Sequence, residues 1–475
     1  MRKGGRPNIV FIMLDTLRAD CLRHYGGDLK LPAIDAVCDR GTVYANAVAP
    51  GTYTLTSHLS LFTGKRVRSI EGLRGNAIKN YYKNTDPLVS KNRYIKEGDM
   101  TLAKRMASLG YSTSLFSNNP FISPSTGLGS GFSYIKNVFI ENKLKTHKTA
   151  LGIISNDTLR EGLTELAYGI SLAIPRHHLD RLYLSLRGTL NRRYSEEYGF
   201  GNLDQGAALT NKLVDSYLSQ APHGNKFLFL NYMEAHEGYP IGLVTKKYVS
   251  QDKWLYVSNI AGTEDVWTIR KAYEERLMYL DGKVKELLEI MKERGVLDNA
   301  VVVMTSDHGQ AFMEHGQMFH TLFPYNEISK VPLVTARFID GKQIGSGRRI
   351  EQNVSLSALG DAIVGLGYGK EDIDGSLRKE RFVFSDHTGI SEVWDTGLLL
   401  RFKRRSKHAD RIYKAKVRYN TAATAIYSEN YKLLHFYGKG RIDELYDLAQ
   451  DPGELENIIK ERRDVARSLL AGNVS

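Results

Sequence analysis

The segment from Asn8 to Leu14 (NIVFIML) is apolar without interruption from Ile9 onward, the pattern of a strand buried on both faces of a parallel sheet. Residues 32–41 follow as a helix, with Pro32 at its start and Gly41 at its end. A second helix is predicted over 100–109, stopped by Gly110, and leads into a strand at 111–117. Residues 226–233 (KFLFLNYM) again read as strand. Between 268 and 294, Tyr273, Leu277, Leu280, Val284, Leu287 and Met291 recur at three- and four-residue steps, which predicts a long amphipathic helix. The very apolar run Ala300 to Met304 comes next. Strands alternating with helices predict an α/β fold with a large, mostly parallel sheet flanked by helices.

The pattern changes near the C-terminus. Short strand-like runs (RFVFSD, GLLLRF, TAIYSE, YKLLHFY) are separated by polar turns, and a helix is predicted over 453–470. This divides the chain into a catalytic-type unit at 1–375 and a smaller α+β subdomain at 376–475. Residues 136–205 mix apolar runs with Arg and His. They read as an inserted helical hairpin; the sharper alternative is an amphipathic lid that meets a lipid surface or a long anionic substrate.

Charge changes the picture modestly. Sixty-five Lys and Arg against 53 Asp and Glu give +12, which favours anionic partners. The basic residues are dispersed and carry no recognition motif, so nucleic-acid binding is not expected. The apolar run after MRKGG ends at Asp15, too early for a secretory leader, and no run approaches the ~18 apolar residues of a membrane span. Only Cys21 and Cys38 are present, which excludes a disulfide framework and a thiolate metal site. A cytoplasmic protein is the expectation.

Chemistry concentrates where strands end. In an open parallel sheet, ligands bind beyond the carboxyl ends of the strands. The first strand runs into Asp15 and the last strong one into Asp307 and His308. If these strands are neighbours, two carboxylates and an imidazole meet, a shell suited to one divalent ion. Between them, 49–66 (APGTYTLTSHLSLFTGKR) reads as a turn entering a helix, where a hydroxyl sits beside N–H groups that favour an anion. Thr54, Thr56 and Ser57 in this turn are either capping hydroxyls or a nucleophile activated by the metal.

Several segments, in order, resemble the sulfatase branch of the alkaline phosphatase superfamily: PNIVFIMLDTLRADCLRHYG, LPAIDAVCDRGTVYANAVAP, TLTSHLSLFTG, FLFLNYMEAHEGYP, GVLDNAVVVMTSDHGQAFMEHG, YNEISKVPLV and the stretch from YKLLHFY to GELENI. The resemblance implies the alkaline-phosphatase-like fold. It puts Thr54 at the nucleophile and Asp15, Thr54, Asp307 and His308 at the metal. It puts His236 and His320 on the transferred group and leaving oxygen, and His58 where sulfatases carry a substrate-binding arginine. His315 is either structural or a support for the site.

The departures shape the expected reaction. Sulfatases convert Cys or Ser at the nucleophile position to formylglycine. Thr54 cannot yield that aldehyde, and the signature's Pro and Arg are replaced by Thr56 and His58. Thr16 stands where a second carboxylate is common. Asp20 is explained equally well by pairing with an arginine. The expectation is a metal-dependent hydrolase or transferase of phosphate mono- or diesters acting through a covalent Thr54 intermediate, with one Mn, Zn, Mg or Ca ion and no formylglycine. The substrate would be a phosphorylated or sulfated glycan, lipid or small molecule. The alternatives are a sulfate-ester hydrolase using unmodified threonine and a non-catalytic binder of an anionic glycan or lipid.

Overall fold

A computed structural model describes residues 5–70, 94–138, 203–236, 263–389 and 421–472, except 97, 222, 321, 378–379 and 439–440. The insertion expected at 136–205 and the strand-like run GLLLRF lie almost wholly outside the described residues.

The first six described strands are β1 (Asn8–Leu14), β2 (Thr42–Val48), β3 (Ser112–Ser117), β4 (Tyr134–Asn137), β5 (Lys226–Tyr232) and β6 (Asn299–Thr305). A small ribbon, β7 (Ala311–Phe312) with β8 (Met318–Phe319), precedes β9 (Lys330–Val331), β10 (Leu333–Ile339), β11 (Lys342–Ile344) and β12 (Arg348–Ser355). The main sheet runs β12-β2-β10-β6-β1-β5-β3-β4. Strand β10 is antiparallel to both its neighbours, β2 and β6; the other pairs along this path are parallel. The sheet is therefore mixed and mostly parallel, as the alternation of strands and helices predicts.

The apolar run of β1 is divided between two cores. Ile9, Phe11 and Met13 face one cluster, which includes Leu55, Leu59 and Phe62 of the helix Thr54–Thr63. Val10, Ile12 and Leu14 face the other, which includes Tyr273, Leu277, Leu280 and Val284 of the helix Thr263–Glu293. A strand buried on both faces cannot alternate with polar residues, which explains its unbroken hydrophobicity. Two helices begin or end within a few residues of their sequence-based limits, at Pro32–Arg40 and Leu102–Ser108.

A four-stranded antiparallel sheet follows: β13 (Val383–His387), β14 (Ala423–Tyr427), β15 (Tyr431–Phe436) and β16 (Glu444–Asp447). One of its faces packs Ile426, Leu433 and Leu445 against Ala466 and Leu469 of the helix Arg463–Gly472. The other packs Ala425, Tyr427 and Leu434 against Leu322, Phe323, Tyr325 and Ile328. The final helix starts at Arg463, ten residues later than the 453–470 expectation. Pro452 and Gly453 disfavour helix, and Glu454 takes a left-handed backbone (φ 57°) that sends its side chain inward.

That inward carboxylate meets Lys432. Both side chains are fully buried, with Nζ 2.5 Å from Glu454 Oε1, and the Asn326 N–H donates to Glu454 Oε2 at 2.6 Å. Losing one partner of a buried pair strands the other charge. Lys432→Met is therefore expected to cost about 3–5 kcal/mol in denaturant unfolding, and adding Glu454→Gln should recover much of it. An unchanged unfolding midpoint for Lys432→Met would show that the pair does not stabilise the fold.

Candidate active site

The strand order β6-β1-β5-β3 sets four parallel carboxyl ends side by side. Asp307 and His308 follow β6, Asp15 follows β1, His236 follows β5 and Asn119 follows β3. Asp15, Asp307 and His308 are fully buried and offer ligand atoms within 4.8 Å of one another.

Thr54 opens the helix Thr54–Thr63 and is buried. Its Oγ1 lies 3.5 Å from Asp15 Oδ2 and 3.5 Å from His308 Nε2. The preceding turn is tight. A Cβ on Gly51 would stand 2.2 Å from Thr56 Oγ1, so only glycine lets the chain pass so close to the helix start.

Thr16, a β-branched residue, adopts a left-handed backbone (φ 69°), an uncommon and costly conformation. It uses that geometry. Its N–H donates to Asp307 Oδ1 at 3.2 Å and its hydroxyl donates to Asp15 Oδ1 at 2.9 Å. Thr16 thus ties the two carboxylates together. Asp20 pairs with Arg18 at 2.6 Å and is about half-exposed, so it acts as an ion-pair partner.

The electrostatics fit a cation. Burial, with Asp15 facing it, pushes the Asp307 carboxyl up to about 7. Burial also works against Asp15, but His236, His308 and the Asn119 amide outweigh it and hold Asp15 below the usual carboxylate range. Asp307 Oδ2 is buried and accepts no hydrogen bond. Two carboxylates facing each other around an unsatisfied oxygen, with an imidazole beside them, match the donor set of a divalent ion.

Three imidazoles line one side. The His320 ring stacks on His308 with centroids 4.4 Å apart and meets His236 edge-on at 4.9 Å. All three come from different loops. His58 is fully buried on the helix Thr54–Thr63, edge-on to Phe62 and Phe229. Its Nδ1 is 2.9 Å from the Thr54 carbonyl oxygen and 3.6 Å from Asp307 Oδ2. Burial keeps its pKa below the ordinary histidine value despite the nearby carboxylates. His315 is a brace. Its two ring nitrogens lie 3.1 Å from Glu327 Oε1 and from the Glu454 carbonyl oxygen, and the ring stacks on Tyr325.

Two asparagines missing from the sequence reading complete the site. Asn119 Nδ2 donates to Asp15 Oδ2 at 2.9 Å and to Thr54 Oγ1 at 3.2 Å. Asn231 Nδ2 donates to Asp15 Oδ2 at 3.3 Å. Their position at the ends of β3 and β5 was the available signal.

Glu234, two residues before His236, is buried and accepts N–H bonds from Gln205 and Ala207 at 2.9 Å each, capping the helix Ala207–Leu218. Burial, aided by the nearby Asp204 charge, raises its carboxyl from the usual 4.5 to about 7 against those two bonds. The folded chain then keeps a proton that the unfolded chain has released. This contribution to stability is present below pH 4.5 and is lost as pH rises toward 7. Glu234→Gln should flatten that part of the stability profile; an unchanged slope in thermal melts from pH 5 to 7.5 would refute the assignment.

Buried carboxylates, imidazoles and a hydroxyl at the carboxyl edge of such a sheet make a site with the donor set of a divalent ion beside a hydroxyl. A sequence model of the sulfatase family matches residues 7–369, and one described as N-sulphoglucosamine sulphohydrolase, C-terminal, matches 402–470. The chain belongs to the sulfatase family of the alkaline phosphatase superfamily. It is 22% identical to an arylsulfatase of Clostridium perfringens over 98% of this chain and 94% of that one. Among solved structures, it resembles the phosphonate monoester hydrolase of Agrobacterium radiobacter (TM-score 0.62, 16% identity, 99% of this chain and 96% of the other). It also resembles an enzyme solved with its substrate D-glucosamine-2-N,6-O-disulfate (TM-score 0.58, 15% identity, 98% and 96%). Among the described residues, no helix is long and apolar enough to cross a membrane.

Proposed function

We propose that this chain hydrolyses, or transfers from, a phosphate-type ester through a covalent intermediate on Thr54, within a catalytic unit that ends near residue 375. The observation that carries the reading is the Thr54 hydroxyl within 3.5 Å of both Asp15 and His308. Its Cβ bears a methyl group, so oxidation there cannot give the aldehyde that sulfate chemistry on a formylglycine requires.

Asp15, Asp307 and His308 would hold one divalent ion, with Thr54 beside it. When bound, that ion supplies Lewis-acid polarisation of the ester's non-bridging oxygen and favours an ionised hydroxyl. The oxygen of Thr54 attacks phosphorus in line. The Oγ–P bond forms as the bond to the leaving oxygen breaks, and His236 or His320 gives that oxygen its proton. Water, or an acceptor alcohol, then attacks phosphorus, gives its proton to the histidine that protonated the leaving oxygen, and the electron pair of the P–Oγ bond returns to Oγ. His58, buried against Asp307, would act on substrate through that carboxylate.

A second reading has its own support: the curated relatives include arylsulfatases, so the ester could be a sulfate cleaved by unmodified threonine. Parallel assays on aryl phosphate, phosphodiester, phosphonate monoester and sulfate separate the two. Phosphorus esters are expected to give the highest kcat/KM. A preference for the aryl sulfate would favour the second reading. The substrate class is proposed to be a phosphorylated or sulfated glycan, lipid or small molecule, in keeping with the net positive charge.

A further inference from the structure

We infer that the carboxamide of Asn119 is a catalytic group that holds the Thr54 oxygen by a hydrogen bond while it attacks and again while it departs. The inference rests on the reading of Thr54 as nucleophile and assigns that residue the neutral donor it needs.

Asn119 is 2% exposed, and its side chain has one way to face. Its Oδ1 accepts the Phe121 N–H at 2.9 Å, so the carbonyl side of the amide is occupied and Nδ2 must turn toward the site. The backbone is fixed as well: the Asn119 N–H reaches Asn231 Oδ1 and Ser117 Oγ, each at 3.1 Å. Nδ2 then stands 2.9 Å from Asp15 Oδ2, 3.2 Å from Thr54 Oγ1 and 3.3 Å from Met233 Sδ. An amide nitrogen carries two hydrogens, and the carboxylate and the hydroxyl are the two nearest acceptors.

Donation from Asn119 leaves Thr54's own proton to point elsewhere, and its other neighbours are Asp15 Oδ2 and His308 Nε2, both at 3.5 Å. The amide bond is therefore not the one lost on attack. As the Oγ–P bond forms and the leaving oxygen departs with its electron pair, the amide keeps its place beside Oγ. In the second step water bonds to phosphorus and gives a proton to the histidine that protonated the leaving oxygen, the P–Oγ bond breaks and the pair returns to Oγ, still facing the same N–H. A hydrogen bond to an oxygen that bears charge is about twice as strong as a neutral one, so the contact favours both charge-bearing stages over the resting hydroxyl. A neutral amide also suits the place, because a lysine ammonium there would compete with a metal ion for Asp15.

The test compares Asn119→Ala and Asn119→Asp with the parent, using whichever aryl ester the parent turns over and excess metal. Asn119→Asp keeps the shape and removes the donor; Asn119→Ala removes the donor without adding charge. The expected result is a kcat about 100-fold lower in both, as for loss of one preorganised donor, with KM changed less than about threefold. Metal content by elemental analysis and melting temperature are measured alongside, since a merely structural role would move those. A folded, metal-loaded variant with kcat within about threefold of the parent overturns the inference. Thr54→Ala serves as the control. If it is inactive while the Asn119 variants are normal, only this inference fails; if it retains full turnover, the nucleophile reading fails and carries this one with it.

Discussion

Replacing Thr54 with alanine lowers kcat by on the order of 10⁴-fold or more, the scale seen when a covalent nucleophile is removed. The change deletes the hydroxyl and a methyl group from the first turn of a ten-residue helix and leaves the carboxylates in place. Asp15 keeps its bonds from Thr16, Asn119 and Asn231, so the metal site should stay assembled. The check pairs steady-state kinetics on the preferred aryl ester with elemental analysis. Full metal content with abolished turnover is expected; near-parent turnover would mean that water, or another group, attacks the ester directly.

Asp307→Asn has the second largest effect, and it separates stability from function. Asp307 is buried opposite Asp15, and its raised pKa records the cost of bringing two carboxylates together without a cation. Removing one charge should make the metal-free chain melt higher than the metal-free parent. The same change removes a ligand, so metal should no longer be retained and turnover should fall by on the order of 10³-fold. In the parent, metal at about 100 times its dissociation constant stabilises the fold by about 2.7 kcal/mol, and that increment should vanish in the variant. Thermal melts with and without added Mn, Zn, Mg and Ca measure both signs. A metal-free variant that melts lower than the parent, or a variant that still gains stability from metal, would contradict the assignment of Asp307.

These two residues also show how far the sequence could be read. Apolar runs that lead into Asp15 and Asp307 predict that both stand at one sheet edge, and β1 and β6 do lie side by side. What the pattern could not show is that β10 enters between β2 and β6 against the direction of both. A run of apolar residues specifies burial and carries no sign for direction. The asparagines were missed for a related reason. Asn118-Asn119-Pro120 has the composition of a turn, and composition does not say that one of its amides points into a site. In the sequence Thr16 stands out only as a missing carboxylate, whereas its left-handed backbone makes it a clasp for the two that remain. The motif order places His58 among the substrate contacts; the fold sets it edge-on to two phenylalanines, with Nδ1 3.6 Å from Asp307 Oδ2. The late start of the C-terminal helix turned on Glu454, whose inward turn depends on a lysine 22 residues earlier in the chain.

The central claim is a double displacement through Thr54, and stereochemistry at phosphorus tests it most directly. The metal-loaded protein would hydrolyse a P-chiral aryl phosphorothioate in isotopically labelled water, and the configuration of the product would be determined. Two in-line steps, one by Thr54 and one by water, predict net retention. Net inversion, or hydrolysis of the matching aryl sulfate with none of the phosphorothioate, would contradict the account.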